Sequence, residues 1–166
     1  HAAMQAKSAS TLYEQLLVAS RKNDAENMRK FANSIINDYE SSTYAVFSKL
    51  MLAKIESEQS NFENAEAYLS SILDNNLRDE FKHIVRLRLV RVLIANNKLE
   101  SAEKILENID ANQFISHYEE LRGDIFAKQG KIKKAEQAYL SALNDEINTG
   151  EARVILQMKL DDLEKI

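Results

Sequence analysis

Leu121-Arg122-Gly123-Asp124-Ile125-Phe126-Ala127-Lys128-Gln129-Gly130-Lys131-Ile132-Lys133-Lys134-Ala135-Glu136-Gln137-Ala138-Tyr139-Leu140 reads as one helix, a glycine break and a second helix. A helical hairpin of this kind has an apolar stripe that it cannot bury alone, so it predicts neighbours of its own type. The rest of the chain supplies them. Turn signals recur at Asn23-Asp24, Ser60-Asn61, Asn97-Lys98 and Gly130-Lys131, at spacings of 37, 37 and 33 residues. Three of them carry a capping pattern, Asn23-x-x-Glu26, Ser60-x-x-Glu63 and Asn97-x-x-Glu100. A Ser or Asn side chain there accepts from a first-turn amide while the Glu reaches back, so each is expected to start a helix.

Counting from each turn aligns the hairpins. Two residues on stand Ala25, Phe62, Leu99 and Ile132, and five on stand Met28, Ala65, Ala102 and Ala135. Nine on stand Ala32, Leu69, Leu106 and Tyr139, and twelve on stand Ile35, Ile72, Ile109 and Ala142. These offsets trace one helical stripe. Seven residues before each turn come Leu16, Ala53, Val90 and Gly123, where the two helices of a hairpin approach most closely. Gly123-x2-Phe126 followed by Ala135-x3-Tyr139 resembles the core of a tetratricopeptide repeat, a helix-turn-helix unit of about 34 residues.

The expected helices are 5–22, 24–38, 42–58, 62–75, 77–96, 99–109, 113–129, 132–146 and 149–165. The first eight make four hairpins. The ninth, with Val154, Ile155, Met158, Leu160 and Leu163 among charged residues, has no partner and is expected to cap the last repeat. The fold class is therefore all-α, a tetratricopeptide-like α-α superhelix of about four helical hairpins plus a C-terminal capping helix. No linker interrupts it, so residues 5–166 read as a single repeat domain.

Composition agrees. Apolar residues make up 45% of the 166, enough for a real core, with no proline and three glycines. A net charge of −4 gives no basic field for nucleic acid. No window approaches the run of about 18 apolar residues that a membrane span needs. The opening His1-Ala2-Ala3-Met4 reads as a tag remnant. The absence of cysteine excludes disulfides and thiol catalysis.

No catalytic, cofactor or metal constellation emerges, and the chain is read as a non-enzyme. Gly123 and Gly130, with six residues between them, lack a following Lys-Ser/Thr and fit hairpin packing and a turn. His1, His83 and His117 form no zinc-binding spacing, and the latter two read as solvent-facing or partly satisfied. Glu119-Glu120 and Asp161-Asp162 point about 100° apart on a helix and do not converge as acid and base. The basic stretch Arg86-Leu87-Arg88-Leu89-Val90-Arg91 spreads over more than one face, with ordinary salt bridging as the default.

In stacked hairpins the first helices line the concave side. The register places Phe47, Leu50, Lys54, Ile84, Leu87, Arg91, Ile94, His117, Glu120 and Asp124 there, as a groove for an extended or helical peptide. Alternatively the capping helix or the first hairpin covers them as core. Leu87→Asp separates the two: an open groove keeps the fold and loses partner binding, whereas a core position loses cooperative unfolding.

Ile84-Val85-Arg86-Leu87-Arg88-Leu89-Val90-Arg91-Val92, Leu121-Arg122-Gly123-Asp124 and Leu156-Gln157-Met158-Lys159-Leu160-Asp161-Asp162-Leu163 resemble, in order and spacing, stretches of the YfgM family, ancillary subunits of the bacterial SecYEG translocon. The opening Ala6-Lys7-Ser8-Ala9-Ser10-x2-Tyr13 is similar to that family's post-membrane segment. The resemblance implies a single-pass inner-membrane protein with this domain in the periplasm. It implies protein partners: the translocon, a PpiD-like periplasmic chaperone and exported clients. It supplies no catalytic residues and no cofactor. A soluble periplasmic or cytosolic repeat adaptor, for example an organiser of envelope synthesis and division, shares the fold and differs in partner.

Overall fold

The computed structural model describes residues 2–166, and His1, read above as part of a tag, lies outside the described residues. Among the described residues the chain is all-α. Its helices are α1 (Ala2–Arg21), α2 (Ala25–Asp38), α3 (Thr43–Glu58), α4 (Phe62–Leu73), α5 (Asp79–Ala95), α6 (Leu99–Leu106), α7 (Ile115–Lys128), α8 (Ile132–Leu143) and α9 (Gly150–Leu163). A short 3₁₀ turn, Asn112–Phe114, precedes α7. Helix α6 stops three residues before its expected end. Glu107 is extended and Asn108 takes a left-handed backbone with φ of 55°, which leaves Ile109 outside the helix.

The four turn signals fall where the sequence puts them, but their role differs from capping a helix start. Asn23, Ser60, Asn97 and Gly130 all have left-handed backbones, with φ of 53°, 60°, 58° and 74°. Each ends the preceding helix. Asn23 N–H donates to Ser20 C=O and Asp24 N–H to Ala19 C=O, both at 3.0 Å. The same pair recurs as Ser60 to Ser57 and Asn61 to Glu56, as Asn97 to Ile94 and Lys98 to Leu93, and as Gly130 to Ala127 and Lys131 to Phe126. This double closure satisfies the last carbonyls of the first helix and reverses the chain. The second helix then starts two residues on, at Ala25, Phe62, Leu99 or Ile132. All four preceding residues accept from the new helix through their carbonyls, and Asp24 alone of them also accepts with its side chain, from Asn27 N–H at 3.2 Å. Glu26, Glu63 and Glu100 stand in first turns, where a negative charge complements the helix dipole.

The chain forms two compact units, His1–Leu77 and Arg78–Ile166. In the first, α1 pairs with α2, α3 with α4, and α2 packs on α3. Its core holds Leu16, Met28, Ala32, Ile35, Leu52 and Ile55, with Leu12, Phe31 and Tyr68 packed at its edge. Each large apolar side chain fully buried there contributes about 1.5–3 kcal/mol. Arg29 on α2 pairs with the buried Glu56 carboxylate on α3 and donates to Gln59 Oε1 at 2.8 Å.

In the second unit α5 pairs with α6, α7 with α8, and α7 packs against both α5 and α6. Helix α9 lies on α8 and closes a cluster of Ala135, Tyr139, Ala142, Leu143, Leu156 and Leu163. Of the apolar residues expected to anchor α9, Leu163 is buried, whereas Val154, Ile155 and Met158 face outward and Leu156 takes the inner position. The close approach expected at Gly123 is present. A β-carbon there would stand 2.3 Å from the Tyr139 ring, so only glycine lets α8 seat its tyrosine against α7.

Candidate protein-binding surfaces

The ten residues placed on the first-helix face divide by their surroundings. Leu50, Leu87 and Ile94 are buried and belong to the core. Phe47, Lys54, Ile84 and Arg91 are exposed, and His117, Glu120 and Asp124 are half-buried. A rotation of about 100° separates adjacent helical residues, so apolar neighbours on one helix part between core and surface.

In the first unit the exposed part is aromatic. Tyr13 on α1 lies 5.2 Å from Tyr44 and 6.1 Å from Phe47, both on α3, as tilted ring pairs. Phe47 is 38% exposed, and the two tyrosines are half-buried. Burial, and then the neighbouring Tyr44, push the Tyr13 phenol above its ordinary range, so it stays protonated and keeps a donor at physiological pH. Two turns along α3, Lys54 reaches solvent and pairs with Glu58 at 3.9 Å. Rigid aromatics with a polar tip and a neighbouring charge suit protein recognition. Tyr13 and Tyr44 were not among the residues singled out in the sequence. Tyr13 stands ten residues before its turn, where the next two hairpins have Leu50 and Leu87; an aromatic at a leucine position was the available signal.

In the second unit Ile84, Arg88 and Arg91 form an exposed stripe on α5. Arg86 turns inward instead, its guanidinium 3.3 Å from both His83 Nδ1 and the Tyr118 hydroxyl. The Tyr118 hydroxyl lies 2.7 Å from His83 Nδ1. An arginine can only donate, so Nδ1 is the acceptor and the histidine proton sits on Nε2. The Phe114 ring stacks on His83 at 4.9 Å. Burial, and then Arg86, hold the His83 pKa below its ordinary value, although Asp79 and Asp110 oppose them. His83 is thus a packed, hydrogen-bonded core histidine.

Glu120 and Asp124 are engaged by α9. Lys159 Nζ donates to Glu120 at 2.7 Å and to Asp124 at 2.9 Å, and the Tyr139 hydroxyl donates to Asp124 at 2.7 Å. Burial alone would lower the Lys159 ammonium, but hydrogen bonds to Glu120 and Asp124 and their charges outweigh it and raise its pKa. The paired acids do not converge: Glu119 pairs with Arg122 at 3.7 Å, Asp161 accepts from Gln157 at 3.0 Å, and Asp162 pairs with Lys165 at 3.3 Å. Among the described residues no helix is long and apolar enough to cross a membrane.

A search of curated proteins finds no match to the chain. The sequence model of one family, described as a tetratricopeptide repeat-like domain, matches residues 1–165. With four hairpins in one register, joined by one turn, the chain belongs to the tetratricopeptide repeat-like family.

Proposed function

We propose that the chain is a protein-interaction scaffold, the periplasmic domain of an inner-membrane ancillary subunit of the SecYEG translocon that works with a PpiD-like chaperone on exported proteins. The scaffold reading follows the family, whose repeat domains mediate protein–protein contacts and are generally not catalysts. The translocon assignment is supported by the likeness to the YfgM family at Ile84–Val92, Leu121–Asp124 and Leu156–Leu163. The observation that carries the binding role is the exposed Phe47 ring beside Tyr13, which in turn pairs with Tyr44 on the first-helix face. A large aromatic that is 38% exposed on a rigid element is the kind of anchor on which interfaces concentrate their energy.

The test is photo-crosslinking from position 47 in native membranes, with Gln137 on the exposed side of α8 as the control position. Translocon and chaperone peptides enriched at position 47 and not at 137 are the expected result. Wall-synthesis proteins in their place would favour the envelope-organiser reading, and cytosolic proteins a cytosolic adaptor; either overturns the translocon assignment.

A further inference from the structure

The first helices of the second unit share a register that two buried positions fix. Val85 and Val92 on α5, Tyr118 and Ile125 on α7, and Leu156 and Leu163 on α9 each stand seven residues apart, and all six are buried. Two residues before the earlier member of each pair and two after it come His83 and Leu87 on α5, Ser116 and Glu120 on α7, and Val154 and Met158 on α9. On α5 both are buried, with the Tyr118 hydroxyl of the next first helix 2.7 Å from His83. On α7 Ser116 is buried, and Glu120 accepts from Lys159 of the next first helix at 2.7 Å. On α9 the pair is open, with Val154 58% exposed and Met158 59%. The positions that each earlier first helix gives up to its successor are therefore apolar and exposed on α9.

The charges around these residues indicate what fits them. Glu151, Val154, Ile155, Met158 and Asp162 follow one another at helical spacings of three and four, so they form one stripe with a carboxylate at each end. Both cations within α9 are engaged elsewhere: Arg153 donates to Leu143 C=O at 3.0 Å, and Lys159 reaches Glu120 and Asp124. Lys165, just past the helix, pairs with Asp162 at 3.3 Å, but both side chains are mostly exposed, and such a pair is worth little in water and exchanges readily. Asp162 stands six residues after Leu156, as Asp124 stands six after Tyr118, and Asp124 accepts from Lys159 of the next first helix at 2.9 Å. A second copy of this chain does not satisfy the stripe. Two α9 helices packed antiparallel about Leu156 bring Glu151 toward Asp161 and Asp162, and packed parallel they set Glu151 and Asp162 each against its own copy. Like charges facing one another across an interface repel and select against that partner.

We propose that the α9 stripe docks a basic amphipathic helix of a partner protein, which takes the place of the next first helix in the stack. The apolar face of that helix covers Val154 and Met158, and one of its lysines or arginines reaches Asp162 as Lys159 reaches Asp124. The inference rests on the scaffold reading and not on which partner the scaffold serves.

The test is a nuclear magnetic resonance titration of the isotope-labelled chain with acetyl-LKKLLKLLKKLLKL-amide, an amphipathic helix former, and separately with the same peptide carrying glutamate at every lysine. Saturable shifts of the Val154, Ile155 and Met158 methyl groups are expected with the lysine peptide, and about tenfold or more weaker binding of the glutamate peptide. The double variant Val154→Ser, Met158→Ser should bind the lysine peptide about tenfold or more weakly with unchanged thermal unfolding. Asp162→Asn, which leaves the apolar contacts alone, should weaken it about two- to fivefold. Equal binding of the glutamate peptide, shifts confined to other helices, or an unaltered affinity in the double serine variant would overturn the proposal. So would a dimer of the chain, seen by analytical ultracentrifugation and dissolved by the same serine variant, which would put a second copy on the stripe. Any of these outcomes alongside intact crosslinking from position 47 removes this inference alone.

Discussion

Gly123→Ala places one methyl group where α7 and α8 touch. Its β-carbon would lie 2.3 and 2.4 Å from two Tyr139 ring carbons, against about 3.5–4.0 Å for an ordinary carbon contact. The ring must therefore retreat by more than ~1 Å, and it has nowhere open to go, being 3% exposed and packed among Ala135, Ala142 and Leu156. Retreat also breaks the bond from the Tyr139 hydroxyl to Asp124. Overpacking costs about 1–3 kcal/mol and a hydrogen bond to a charged group about 1.5–3 kcal/mol, while alanine regains about 1 kcal/mol of helix propensity. The net loss is about 3 kcal/mol, a fall in Tm of roughly 6–12 °C for a chain of this size. Urea and thermal unfolding measure it directly. In a Tyr139→Ala background the clash disappears, and Gly123→Ala should become neutral or stabilise by up to about 1 kcal/mol. If Gly123→Ala is neutral or stabilising in the parent chain, the idea that this glycine exists to admit the tyrosine is wrong.

Leu87→Asp buries a carboxylate at a 4% exposed position and should abolish cooperative unfolding, read by circular dichroism, whereas Phe47→Asp should leave the melt unchanged. Ser60→Gly relieves a left-handed serine and should stabilise by about 0.5–1 kcal/mol, while Gly130→Ala, at φ of 74°, should destabilise by about 1 kcal/mol, both by urea midpoint. Arg29→Met strands the Glu56 carboxylate, 3% exposed, and should cost about 3 kcal/mol, with Glu56→Met on top recovering most of it. His83 binds its proton less readily folded than unfolded, so its contribution is intact above its unfolded pKa of about 6.5 and is lost as pH falls through that value toward the lower folded one. Tm should accordingly drop between pH 7.5 and 5.5, and His83→Gln should flatten the drop. Persistence of the full slope in that variant would place the titration elsewhere.

The turns were legible as positions and misread as mechanism, and the residues show why. Asparagine and serine are favoured both at a helix start, where the side chain accepts, and at a left-handed helix end, where the backbone tolerates them. Asn23, Ser60 and Asn97 fit either. Gly130 discriminates, because it has no side chain to cap with; a role shared by all four must be a backbone role. The stripe at offsets five and nine was legible because a repeat buries the same face every time, down to Ala65, Ala102 and Ala135 at full burial. What covers the first-helix face was not. Lys159, which takes Glu120 and Asp124, comes 35 residues after Asp124 from a helix outside the repeat register, and no periodicity reports that contact.

The register also shows where the repeat stops being only a repeat. Ten residues before the four turns stand Tyr13, Leu50, Leu87 and Glu120. The same backbone position is an aromatic beside a partly exposed ring in the first hairpin, core in the second and third, and an ion-pair partner of α9 in the fourth. Six residues after the turns, Arg29 pairs with Glu56 and donates to Gln59, whereas Glu103 accepts from Gln129. Stacking alone would favour one solution at each position, since within a repeat stack the units bury equivalent faces. Departures from that shared solution therefore mark the residues answering to something besides stacking. One such departure is the aromatic ledge at Tyr13 and Phe47.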